Sequence, residues 1–274
     1  MSLLIYSICI LYWFAFSMVV LYHIKKIVVF ERISSAAVIL GFLIHTIGLG
    51  LRSYEAGHAP MLSMYETLLF YSWCTILVTI IVLLRYNECL TRLITIPLAL
   101  AAMIFAQINA TPAKPLTLIL KTRWFEIHVI ASFAAYALFT LAFSAAVLYL
   151  TYEVYTRMPA PGRLYNNLEG ETLRHLRDFQ DIAKRSTLWG FFLFSVAMFA
   201  GAVWAYLAWG TYWLWGPKVI WSFIIWFYYA GAMHAYYIKV WRGRGLAIAT
   251  IIGYIIVLFT YLGVSLLMKS SHSF

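Results

Sequence analysis

Charge is scarce in this sequence. Of 274 residues, 11% are Asp, Glu, Lys or Arg and 64% are hydrophobic, whereas a soluble domain carries about 25% charged residues. So few polar side chains cannot cover a water-soluble globule, which leaves the membrane class. Acidic residues are rarer than basic ones, ten against twenty, for a formal charge of +10. That excess does not point to nucleic acid, and no such partner is expected, because Lys and Arg gather in short loops between apolar runs. Cysteine is also sparse. Cys9, Cys74 and Cys89 lie far apart, and no CxxC or CxxCH occurs. The chain is therefore not itself a c-type cytochrome, a thioredoxin-like reductant or a zinc ribbon. HExxH and compact His/Cys clusters are missing too, which weighs against zinc.

What is abundant is apolar length. A hydrocarbon core of ~30 Å needs about 20 apolar residues per helix. About eight runs approach this: Leu3–Tyr22, Ala36–Leu51, Tyr65–Leu84, Leu93–Ala110, Trp124–Tyr152, Leu188–Ala208, Val219–Trp241 and Leu246–Met268. The first lacks a basic leader and a small-residue cleavage site, and reads as a retained span. The expected fold is an all-α, polytopic membrane bundle in a single domain, 1–274. Threading the loops alternately puts fourteen Lys and Arg on one side, among them Lys25, Arg85, Lys184 and Arg242. Six lie on the other, Arg52, Lys114, Lys121, Arg123, Lys218 and Lys269. The rich side is expected to be cytoplasmic, with both termini outside. One long cytoplasmic connection, 153–187, is broken early by Pro159, Pro161 and Gly162. Its Leu168–Arg185 stretch reads as an amphipathic helix along the membrane surface.

Six of the eleven tryptophans fall between Trp204 and Trp226. Gly210, Gly216 and Pro217 disfavour continuous helix here, so 204–218 is expected to be an outer loop. Trp and Tyr also form interfacial belts in most membrane proteins. A belt, however, spreads over all spans, whereas these residues concentrate in one connection. Trp204, Trp209, Trp213 and Trp215 therefore read either as a belt or as an apolar platform for a planar hydrophobic ligand, of which haem is the commonest.

Trp204 through Trp221 resemble the tryptophan-rich WWD motif of the haem-handling proteins of cytochrome c biogenesis, and the likeness is greatest to the CcsA (ResC) family. Gly57-His58-Ala-Pro60 through Tyr65-Glu66 and Trp73 resembles that family's GH-P-LSN-YES-L-FLSW stretch. Gly190-Phe191, Gly201-Ala202-Val203-Trp204 and the closing Tyr261-Leu-Gly-Val264 also correspond. The likeness covers most of the chain from about Ile44. One departure stands out: where the family reads W-D-P-K-E, this chain has Trp215-Gly216-Pro217-Lys218-Val219, without either acid.

The histidines take their meaning from depth and company. His128 lies about one turn inside the outer end of the fifth run, and His272 follows the eighth. The resemblance implies that these two are the axial pair of an external haem. His234, inside the seventh run, corresponds to the family's transmembrane histidine, and an ionisable group at that depth is a functional candidate in its own right. His45 stands about 14 Å and His234 about 10 Å from the inner ends of their helices, at 1.5 Å per residue. His45 is thus a candidate second ligand, although the family's partner histidine can come from a companion subunit. Otherwise it is structural. His23 and His175 read as interfacial, and His58 as a loop residue. Glu66 either orients a ligand or neutralises a nearby arginine. Outer Lys and Arg residues face haem propionates or lipid phosphates.

The resemblance implies a non-covalent b-type haem, an apocytochrome c substrate and a CcsB-like membrane subunit, in a bacterial inner membrane or a thylakoid. It implies transport of haem to the outer face and its presentation for attachment. The other reading is a b-type electron-transfer cytochrome on the same scaffold. A cofactor-free channel or transporter is weaker, because the spans lack charges lining a path.

Overall fold

An apolar run whose backbone lies in hydrocarbon has one local solution, because only a helix satisfies each N–H and C=O within its own segment. The computed structural model describes residues 2–86, 88–156, 164–238 and 241–267. Its helices are α1 (Ser2–Lys25), α2 (Val28–Ala56), α3 (Met64–Tyr86), α4 (Arg92–Ile108), α5 (Arg123–Thr156), α6 (Leu164–Trp209), α7 (Pro217–Tyr237), α8 (Arg244–Leu258) and α9 (Val264–Leu267). A 3-10 turn spans Leu118–Leu120, and a π turn, Phe259–Gly263, joins α8 to α9. No strand occurs among the described residues. The protein is an all-α polytopic membrane bundle. Among the described residues six helices, α1, α2, α3, α5, α6 and α8 with its π turn, are long and apolar enough to cross a bilayer. Helix α4 is apolar but has 17 residues. Helix α7 has 21, many of them Trp and Tyr, which bury well yet score as nearly neutral in hydropathy.

Two helices run further than their apolar windows. Helix α2 extends to Ala56, because Arg52 is neutralised inside the protein and does not end it. It stops at Gly57, whose left-handed backbone (φ 71°) lets its N–H bond the Ser53 carbonyl at 2.9 Å. Helix α6 runs unbroken over 46 residues. The Leu168–Arg185 stretch is helical, as its sequence suggests, and leads without a break into the sixth span. The breakers Pro159, Pro161 and Gly162 lie outside the described residues.

The chain divides into two compact units. The first comprises residues 1–137 and 193–214, the second residues 138–192 and 215–273. In the first, α1 buries Ile5, Ile8, Tyr12, Ala15 and Val19, a three-four spacing that makes one stripe. Facing it, α2 offers small residues: a Cβ on Gly41 would lie 2.6 Å from the Tyr12 ring. Close approach over glycine is how helices pack where lipid is as apolar as the side chains. Polar links add to this. Ser34 Oγ donates to the Ala15 carbonyl at 2.8 Å, Trp73 Nε1 to Thr46 Oγ1 at 2.8 Å, and Arg92 reaches Glu31 at 2.7 Å. In the second unit, the rings of Phe139 and Tyr229 stack at 3.9 Å and those of Phe143 and Tyr254 at 4.6 Å.

Arg52 and Glu66 are the most enclosed ion pair, at 2.9 Å with side chains 6% and 2% exposed. The second Glu66 oxygen accepts from the Leu62 N–H at 2.9 Å, and Ser63 Oγ accepts from the Glu66 N–H at 3.2 Å. That is a capping box, predictable from the Ser63-x-x-Glu66 pattern. Removing one charge of such a pair strands the other and costs about 3–5 kcal/mol. Glu66→Ala should therefore lower the thermal unfolding midpoint in detergent sharply. Arg52→Met, Glu66→Leu should recover most of that loss; equal loss in both proteins would mean the pair is not what this end of α2 and α3 depends on.

Candidate functional site

Helix α5 begins where Thr122 Oγ1 accepts the Phe125 N–H at 3.2 Å, a side-chain cap on its first turn. One turn on stands His128, part-buried. Its Nδ1 lies 2.8 Å from the Ala197 carbonyl. A carbonyl can only accept, so Nδ1 carries the proton and Nε2 keeps the lone pair. An imidazole held in this way could take a metal through Nε2, because its other nitrogen is already bonded. Ala197, Gly201 and Trp204 share one face of α6, at i, i+4 and i+7. A Cβ on Gly201 would lie 2.6 Å from His128 Nδ1, so only glycine admits the ring. The Trp204 ring stacks beside His128, centroids 6.3 Å apart and planes 21° apart.

Trp204 is 3% exposed and packs between Phe125 and Trp209, at 5.1 and 5.0 Å. Its Nε1 donates to the Ile119 carbonyl at 3.0 Å. It is thus a wall behind His128, holding the 118–120 turn, and not an open face. The expected 204–218 loop is correspondingly shorter. Nothing stops α6 before Gly210, whose positive φ (71°) ends it with an N–H bond to the Tyr206 carbonyl at 2.8 Å. Beyond Trp209 the aromatic side chains are more open: Tyr212 is exposed, and Trp215 is 69% exposed and stacks on Phe223 at 5.7 Å. Trp213 is half-buried.

The connection leading to α5 is fastened at three points, none foreseen in sequence. Arg52 Nη2 donates to the Thr111 carbonyl at 2.9 Å, His58 Nε2 lies 2.8 Å from the Lys114 carbonyl, and Trp204 holds Ile119. His58 Nδ1 also lies 2.6 Å from the Ala59 carbonyl. His58 is a clip between two loops, and Glu66 is the partner of Arg52. The pairing of Glu66 with an arginine is the second of the two roles its sequence left open, and the loop position of His58 agrees with its sequence reading.

The other histidines separate. His45 is 2% exposed, with Nδ1 3.3 Å from Tyr12 Oη, and forms a bond between α2 and α1. His234 is exposed on α7, with Nδ1 2.7 Å from the Ala230 carbonyl four residues earlier, so its Nε2 is the lone-pair nitrogen. His272 lies outside the described residues. No three of His, Cys, Asp and Glu converge among the described residues.

A family model for the cytochrome C assembly protein matches residues 61–272. The chain belongs to that family. Similar proteins include the cytochrome c biogenesis protein CcsA of Mesostigma viride, 33% identical over 82% of this chain and 80% of that one. The CcsA of Guillardia theta is 31% identical over 91% and 88%. That of Gloeobacter violaceus is 29% identical over 96% and 90%.

Within this family member, the altered W-G-P-K-V stretch has a definite structural place. Gly216 is the extended N-cap of α7 (φ −98°, ψ 171°), with no side-chain cap, and Pro217 opens the helix. Val219 is then at the third helical position. An Asp and a Glu at these two places are the members of a capping box, on the positive end of the helix dipole. Gly216→Asp, Val219→Glu should therefore stabilise the start of α7 by about 0.5–1 kcal/mol. Amide exchange of residues 218–221 should slow by roughly two- to fivefold. Unchanged exchange there would show that the acids have no capping role in this chain.

Proposed function

We propose that this protein binds haem in a membrane and presents it on the outer face for attachment to an apocytochrome c. The observation that carries the reading is the His128 seat. Its tautomer is fixed by the Ala197 carbonyl, and its neighbours leave room for nothing larger than hydrogen at Gly201. Such preparation is wasted on a merely polar histidine and fits a neutral axial imidazole. Family membership and the biogenesis proteins it resembles supply the context.

The residues divide the task. His128 offers Nε2, Trp204 backs it, and Trp209 and Trp213 provide aromatic surface beyond it. The resemblance adds His272 as the second axial ligand and Trp215 as a further face. It also assigns His234 to an inner site, for which the fixed Nδ1 proton is suitable. His45 we assign to packing, because Tyr12 and α2–α1 contact enclose it. The haem is b-type and non-covalent, since the chain has no CxxCH. When bound, it supplies the vinyl groups that accept apocytochrome thiols. The protein's residues orient and ligate, which is catalysis mostly by positioning. A CcsB-like subunit would complete the assembly. The lysine- and arginine-rich loops would face the cytoplasm of a bacterial cell, or the stroma if the membrane is a thylakoid.

The test is a pyridine haemochrome assay on purified protein from haem-replete cells. Parent protein should carry haem, and His128→Ala should lose the outer haem and lower the total, with partial rescue by imidazole. Gly201→Ala, which displaces the ring without removing a ligand, should weaken retention by about tenfold and shift the Soret band. Trp213→Ala should cost retention well beyond Trp13→Ala. A colourless parent, or a His128→Ala spectrum like the parent's, overturns the reading.

A second expectation concerns chemistry. Without the capping acids the chain should hold haem yet attach it poorly alone, since small misplacements cost ~100-fold in rate. Reporter apocytochrome maturation in a strain lacking its own system should rise with Gly216→Asp, Val219→Glu. Robust attachment by the unaltered chain without a partner would contradict this.

A further inference from the structure

The second unit contains a groove of about 370 Å³ that the haem reading does not use. It runs between α7 and α8 and is lined by Phe227, Tyr228, Gly231, Ala235, Trp241 and Ala249, among others. His234 is on the same helix but does not line it. The walls are hydrocarbon and aromatic rings. Tyr228 brings a hydroxyl to them, but that group donates to the Ala249 carbonyl at 2.8 Å. The interior therefore suits an apolar chain and offers little to a polar ligand. Gly231 leaves open space, since a Cβ built there meets nothing within 4 Å.

One end differs. Tyr236 lines the groove, and two cations lie over its ring, Lys184 Nζ at 4.7 Å and Arg242 Cζ at 5.8 Å from the centroid. They belong to the lysine- and arginine-rich side of the sequence. The N-terminus of α8, at Arg244, is close in sequence and adds the positive end of a helix dipole. An apolar slot with two cations over the ring of one of its lining residues matches one kind of molecule found in bilayers, a lipid with an anionic headgroup. Basic pockets between helices on that side of a membrane recognise anionic headgroups.

We propose that the α7–α8 groove is a specific site for an anionic phospholipid, one acyl chain lying along Gly231 and Ala249 and the phosphate held by Lys184 and Arg242. The site would secure α7 against α8 by filling space that side chains leave vacant. It does not depend on haem binding.

Native mass spectrometry of the full protein in detergent tests this, with added phosphatidylglycerol or phosphatidylcholine of the same acyl chains. One phosphatidylglycerol should remain bound under conditions that strip phosphatidylcholine. Two interfacial cations imply a preference of about thirtyfold. Lys184→Gln, Arg242→Gln should bring the two lipids level. Gly231→Leu, which fills the groove, should lower retention of both, and Ala249→Leu provides the same arm from the other wall if that variant does not fold. Equal retention of the two lipids by the parent overturns the proposal, as does a preference that survives the double substitution. So does undiminished binding after the groove is filled, or a stoichiometric quinone or haem lost on filling it. Haem content in the same samples reports separately on the His128 reading.

Discussion

In hydrocarbon a polar side chain must find its partner inside the protein, and in the first unit most such partnerships pass through α2. Glu31 at its start takes the fully buried Arg92 of α4. Ser34 reaches the Ala15 carbonyl of α1, and His45 meets Tyr12 of the same helix. Thr46 accepts from Trp73 of α3, and Arg52 closes on Glu66. Five polar residues along one helix thus bind three different neighbours. Helix association in a bilayer gains little from hydrophobicity, so close packing and such bonds are what hold register. The Arg52 end of this strut reaches the candidate site directly. Arg52 holds Thr111, and the connection from there leads through Ile119, under Trp204, to the start of α5 and His128.

The bundle was legible because its signal is crude. An apolar run long enough to span a membrane has no competing local structure, so the positions of all eight expected runs recur as helices. Ends were less legible. The α2 window stopped at Leu51 because Arg52 looks like a terminus until Glu66 is found beside it, fourteen residues away and buried. The α6 window was split at its charged half, although a helix that leaves the membrane can continue through solvent. His128 was a candidate by its motif context. Its seat carried no such signal, because it depends on a main-chain carbonyl and on the absence of a Cβ, and neither carries a label in sequence.

Trp204 shows where composition misleads. A cluster of tryptophans suggests a common surface, yet these occupy different environments. Trp204 has its indole N–H on a carbonyl and its rings among Phe125, His128 and Trp209, whereas Trp215 is largely open. A helix turns 100° per residue, so neighbours in such a motif cannot all point the same way while α6 persists. Only past Gly210 does the chain become free to lay side chains on one side. The motif therefore contains two parts: a helical portion that fixes an imidazole and a non-helical portion that offers aromatic area.

On the proposed reading, the same division would let haem binding and attachment separate in this chain. Ligation would need the imidazole and its backing, both anchored on α5 and α6 by contacts that do not involve Gly216 or Val219. Attachment would need the porphyrin edge held still against an incoming thiol, a demand that would fall on the short 210–216 segment. That segment is tied at its start by the αL turn of Gly210 and at its end by the first turn of α7. With glycine at the N-cap and valine three residues later, that second tie consists of Pro217 and the Ile220 N–H bond to the Gly216 carbonyl at 3.1 Å.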